Sequence, residues 1–178
     1  MDNIQNPLRY AGDKDKAYGL AGMAVSLVAL DGEEYLAGIY IDREPSEAFA
    51  LDRVFGLKGN PRMSAKILWE QAVKELRLSA SVALGNLVCR RYLLDRKGVG
   101  RDETEAIRRA VRQEASQHCE LDFDEADRIF DHCLSYADRL FRHSGVQSVA
   151  TGFADHILSR RSMTASEALE LLASLGMR

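Results

Sequence analysis

The sequence predicts an all-α fold, a bundle of about six helices, with an irregular or partly extended segment near residues 31–59. Three observations carry this. Apolar residues recur at helical spacing over most of the chain. Acceptor residues followed three positions later by Glu mark helix starts, at Asp102/Glu105, Asp122/Glu125 and Thr164/Glu167. Glycines stand where two of those helices should stop, at Gly145 and Gly176. The 178 residues suit a single domain, with a less regular part at 1–59 and a helical core at 60–178.

The first helix is read over 17–30, with Asp13 as N-cap. Gly19, Gly22, Ser26 and Ala29 recur three or four positions apart and form a stripe of small side chains on one face. Leu20, Ala24, Leu27 and Val28 cover the opposite side, so the helix should be buried with another backbone close to the stripe. That neighbour belongs to the same chain or to another, which makes the stripe a candidate interaction surface. The run is too short to span a bilayer, which needs about 20 apolar residues as helix. No membrane role is assigned.

Asp31-Gly32 interrupts the pattern. The next residues fit a second helix from Glu33 to Ile41, or a hairpin in which Asp31-Gly32 turns between strands, since Tyr35, Ile39 and Ile41 suit a pleat. The preferred reading is helix first and extended chain near Pro45, which disfavours helix at Glu44. An irregular connection then runs to Gly59.

Asn60 as N-cap and Pro61 in the first turn start the next helix, which should run to about Arg77 with Met63, Ile67, Val73 and Leu76 on its buried side and Trp69 at its margin. It continues or restarts near Ser79, its stripe of Val82, Gly85, Cys89, Tyr92 and Leu93 ending at Gly98. The three capping boxes open helices over 103–118, 123–143 and 165–175, the second closed by Gly145 and the third by Gly176. A further helix fills 146–160, with a weak point at Gly152.

Composition narrows function by exclusion. The net charge of -3 provides no global basic field for nucleic acid or anionic lipid. The only local signal of that kind is the basic cluster Arg90, Arg91, Arg96, Lys97 and Arg101, with Arg108, Arg109 and Arg112 on the next helix. A helix-turn-helix reader starting at Glu103 would place Glu103 and Glu105 against the groove, and Glu105 is spaced to neutralise Arg109. Nucleic acid is therefore disfavoured, and the acidic face of the helix from Phe123 is an equally good partner for these arginines.

Three cysteines, Cys89, Cys119 and Cys133, lie in helical sequence without short-spaced pairs, as expected for reduced thiols in a cytoplasmic protein. The start of the chain lacks the basic and apolar regions of a signal peptide.

The repeated His118-Cys119 and His132-Cys133 pairs resemble metal ligands in type. On helices their positions do not converge: His118 ends one helix, and in the next Cys133 is read as a buried thiol beside the surface imidazole of His132. The acidic run 120–131 fails as a calcium loop, with Asp127 where glycine is needed and Cys133 where the closing Glu belongs. His118 has Glu114 as an ordinary helical neighbour, and His143 suits a helix C-terminus. Nucleophile elbows and phosphate loops are missing.

No catalytic residue, cofactor or metal is assigned. The resulting expectation is a non-catalytic helical domain acting through protein contacts, including self-association. The alternatives are nucleic-acid binding through the basic cluster and an enzyme with a non-local His, Cys and carboxylate site.

Overall fold

The computed structural model describes residues 9–52 and 65–177, and within them the chain is a helical bundle carrying a small three-stranded sheet. The six helices among the described residues are α1 (Asp13–Val28), α2 (Ala65–Cys89), α3 (Arg101–Cys119), α4 (Phe123–Arg142), α5 (Ser144–Arg160) and α6 (Ala165–Ser174). The strands are β1 (Leu36–Tyr40), β2 (Phe49–Leu51) and β3 (Ser162–Thr164). The expected starts at Asn60 and Pro61, with Met63, lie outside the described residues.

α1 is the axis of the fold. Apolar nearly all round, it is buried from Ala17 to Val28 and packs against α2 and α5. The α1–α2 crossing is close because glycines meet there. A Cβ built on Gly85 would stand 2.7 Å from the Gly22 carbonyl oxygen, and one on Gly22 would stand 2.5 Å from the Cys89 Cβ. α3 and α4 pack on the far side of α2. Phe130, Phe141 and Phe153 fill the space between the helices and are fully buried.

α1 ends in a Schellman motif whose left-handed residue is Asp31, not Gly32. Gly32 N–H donates to the Leu27 carbonyl at 2.9 Å and Asp31 N–H to the Val28 carbonyl at 3.1 Å. Asp31-Gly32 therefore joins α1 to a single 3₁₀ turn, Glu33–Tyr35, and is not a hairpin turn.

The helix expected over Glu33–Ile41 is corrected to this turn followed by β1. Period two prevails over period 3.6 because Ile39 and Ile41 point inward together, Gly38 weakens a helix interior, and β1 gains partners on both edges. It pairs antiparallel with β2 through Gly38↔Ala50 and Ile39↔Phe49, and with β3 through Ile39↔Met163. The hairpin loop is the Pro45 region.

Several boundaries also move. α1 is capped by Gly12, and Asp13 is its first residue. α2 runs unbroken past Ser79 to Cys89 and continues into a π turn over Arg90–Leu94. α3 starts at Arg101, where Glu103 Oε2 accepts the Gly100 N–H at 3.0 Å, two positions before the expected box. α4 stops at an extended His143, and Gly145 lies inside α5. Gly152 does not interrupt α5; its missing side chain admits Leu175.

The other two capping boxes form as the sequence predicts. Glu125 N–H donates to Asp122 Oδ1 at 2.8 Å, and Thr164 N–H to Glu167 Oε2 at 2.8 Å. Gly176 closes α6 with positive φ, and Met177 N–H reaches back to the Leu172 carbonyl.

Candidate functional site

Two features stand out: a buried ionic network at the α1–α2 crossing and an open groove along α3. The network starts from Asp15, in the first turn of α1 and in register with Gly19, Gly22 and Ser26. Small residues below it let α2 approach, and Arg90, the first residue of the π turn that follows α2, reaches its carboxylate. Arg90 Nε and Nη2 donate to the two Asp15 oxygens at 2.5 Å each. Asn86, one turn earlier, accepts weakly from Arg90 Nη1 at 3.5 Å and donates to the Tyr10 hydroxyl at 2.7 Å. Arg90 is 2% exposed and Asn86 1%.

Two successive arginines in the π turn serve two helices. Arg90 turns inward to α1, while Arg91 turns to α3 and pairs with Glu103 and with Asp95. Successive helical side chains point roughly 100° apart, which is enough to send one to each neighbour.

Chemically the network is a scaffold. Burial works against the charge of Asp15, but hydrogen bonds from Arg90 and from Ala11 N–H, with the Arg90 and Arg91 charges, hold its pKa below the ordinary value. Its oxygens accept three donors from the protein, so it is a poor base near neutral pH. Burial pushes the neighbouring Cys89 thiol far up, which leaves no thiolate to act as nucleophile.

The small-residue stripe lies inside the molecule. Gly19 faces Asn86 and Tyr10, Gly22 faces Gly85, and Ser26 faces Gly85, while Ala29 is half-buried at the end of α1. The close neighbour expected at the stripe is thus α2 of the same chain, and Gly19, Gly22 and Ser26 present no surface to another one. Ser26 Oγ is buried there without a hydrogen-bond partner among the described residues.

The basic cluster is also largely used within the chain. Arg90 and Arg91 are paired as above, and Lys97 approaches Asp95 at 3.7 Å. Arg112 makes a bidentate contact with Asp127 at 2.7 Å, and Arg108 contacts Asp131 at 2.6 Å. Glu105 faces Arg108 and Arg112, not Arg109. α3 and α4 are therefore joined by their opposite charges, and an arginine held between carboxylates has little charge to offer a phosphate. Arg96, Arg101 and Arg109 carry no ion pair among the described residues.

Histidines do not assemble a site. His118 ends α3 and pairs with Glu114 at 3.5 Å, His132 is exposed on α4, His143 caps α4, and His156 is half-buried on α5. Cys119 and Cys133 are buried free thiols beside surface imidazoles. Among the described residues no three His, Cys, Asp or Glu side chains group as metal ligands would.

The groove is open and lined by Arg109, Arg112, Gln113, Ser116, Gln117 and Phe123. Phe123 is the first residue of α4 and is 65% exposed. Arg109, Gln113 and Ser116 follow one another at helical spacing on α3, so the groove runs along that helix. Across the α3–α4 turn, Trp69 of α2 is 49% exposed and its indole N–H donates to the Cys119 carbonyl at 3.0 Å. Phe123 and Trp69, with Ile67, are the large apolar side chains most exposed among the described residues, and Phe123 stands beside Arg109 and neutral amides in the groove.

Sequence reasoning overlooked the network and the groove. A detectable signal for the first was polar residues on apolar stripes: Asp15 extends the Gly19, Gly22, Ser26 face, and Asn86 and Arg90 sit four apart beside Gly85 and Cys89. Phe123 carried a weaker one, an aromatic residue directly after a cap. No protein-family model matches the chain, and comparison with curated proteins finds no match.

Proposed function

We propose that this chain is a non-catalytic helical module that works through protein contacts at the α3 groove, a second copy of itself among its partners. The observation that carries the reading is Phe123, 65% exposed at the mouth of a groove that also holds Arg109, a cation without an ion pair among the described residues. An aromatic anchor beside a guanidinium suits a partner segment carrying an apolar side chain and a carboxylate. A cytoplasmic setting fits the three buried free thiols. Among the described residues, no helix is long and apolar enough to cross a membrane.

Light scattering after gel filtration, over a range of protein concentrations, tests the self-association. The expected result is a mass that rises with concentration in the wild type and less so in Phe123→Ser. A strict monomer at the highest concentration would remove the second copy as partner.

A further inference from the structure

We infer that residues 9–11 form a latch over the α1–α2 crossing, which opens and closes as one unit without unfolding the helices beneath it. This device is independent of the protein contacts proposed above. Three consecutive residues each place a different group on the same buried cluster. The Arg9 carbonyl accepts from Arg90 Nη2 at 2.9 Å. The Tyr10 hydroxyl accepts from Asn86 Nδ2 at 2.7 Å. Ala11 N–H donates to Asp15 Oδ2 at 2.8 Å. The Tyr10 ring also lies 4.8 Å from the Arg90 guanidinium, in space that exists because Gly19 has no Cβ.

None of these contacts belongs to the helices themselves. The backbone ladder of α1 begins with Lys16 N–H on the carbonyl of Gly12, the N-cap, so release of residues 9–11 leaves every ladder bond of α1 in place. Asp15 and Arg90 keep their two mutual hydrogen bonds. The closest helix packing, at Gly22 and Gly85, lies further along α1.

Opening therefore breaks only the latch contacts, and it breaks them together. Arg9 and Tyr10 are adjacent, so when the segment lifts the Asn86 amide loses the Tyr10 hydroxyl and Arg90 Nη2 loses the Arg9 carbonyl together, which makes partly open states unfavourable. Exposure agrees: Arg9 and Ala11 are at the surface and Tyr10 is half-buried, while the cluster they cover is not accessible. Opening uncovers a recess lined by Gly19, Asn86 and Arg90.

Amide hydrogen exchange on the whole chain, followed by NMR with increasing sub-denaturing urea, tests the latch. Ala11 should be protected through an opening that urea barely accelerates, whereas Leu20 and Ala24 in α1 should exchange through an opening that urea strongly accelerates. Tyr10→Phe, which removes one acceptor and leaves the ring, should speed exchange at Ala11 about five- to tenfold and leave Leu20 and Ala24 unchanged. Three results would each overturn the inference: an unprotected Ala11, an Ala11 that shares the rate and urea dependence of Leu20, or no response to Tyr10→Phe. Tyr10→Ala, which also removes the ring, should raise Ala11 exchange further; the same rate as Tyr10→Phe would count against the ring contact.

Discussion

Gly22 and Gly85 meet backbone to backbone where α1 crosses α2, and neither position has room for a Cβ. On Gly22 the added carbon would press on the Gly85 carbonyl, which cannot swing away as a side-chain tip could. Gly22→Ala should therefore force the helices apart and cost about 3 kcal/mol, the upper part of the usual range for overpacking. Gly98→Ala, where the added methyl meets open space, should stay within about 0.5 kcal/mol of wild type. Urea unfolding compares the two, and equal midpoints would mean that the helices do not approach this closely.

Arg90 and Asp15 form a pair that is hard to break from one side. Arg90→Met leaves a carboxylate at the helix crossing with a single remaining donor, Ala11 N–H, and should cost about 3–5 kcal/mol. The double variant Asp15→Leu/Arg90→Met removes both charges and should recover a substantial part of that loss. Denaturant midpoints for the two single variants and the double variant check this. Strictly additive losses would show that the two residues do not interact.

Helix starts were legible wherever the deciding contacts are local. At Asp122/Glu125 and Thr164/Glu167 both partners of the box sit within four residues, and the structure keeps them. At Asp102/Glu105 the local pattern was overruled from outside. Arg91, twelve positions before Glu103, draws that carboxylate to itself and to Gly100 N–H, so α3 starts two residues early. The strand at Leu36–Tyr40 was obscure for the same reason, because one of its two partners, β3, lies more than a hundred residues later. The candidate sites were less legible still. Asp15 finds Arg90 seventy-five positions away, and the groove beside Phe123 is lined by α3 residues from Arg109 to Gln117 that the sequence does not place next to it.

Glu103 and Asp102 allow the revised start of α3 to be tested directly. Glu103→Ala removes both the acceptor for Gly100 N–H and the partner of Arg91, and should cost about 1–2 kcal/mol. Asp102→Ala loses only an exposed first-turn charge and should cost less than about 0.5 kcal/mol. Thermal unfolding followed by circular dichroism ranks them. The reverse ranking would restore Asp102 as the cap.

Acid should destabilise the fold through the carboxylates that hold it together. Asp15 is depressed by Arg90 and Ala11 despite its burial, Glu103 chiefly by its hydrogen bonds from Arg91, and Asp127 chiefly by those from Arg112. A carboxyl whose pKa is lower folded than unfolded contributes stability that is fully present above its unfolded value, near 4. That stability is lost as the pH falls through the lower, folded value, because the unfolded chain then binds more protons. The contribution of these groups should thus be flat from pH 7 to about 5 and fall below about 4. Each proton taken up on unfolding adds at most about 1.4 kcal/mol per pH unit to the slope. Asp15→Asn starts from lower stability at neutral pH, yet its acid limb should be shallower by up to that amount. Urea midpoints of both proteins between pH 7 and pH 2.5 measure the difference. Parallel acid limbs would show that Asp15 titrates alike in the folded and unfolded chain, and that its pairing with Arg90 does not hold the carboxylate ionised.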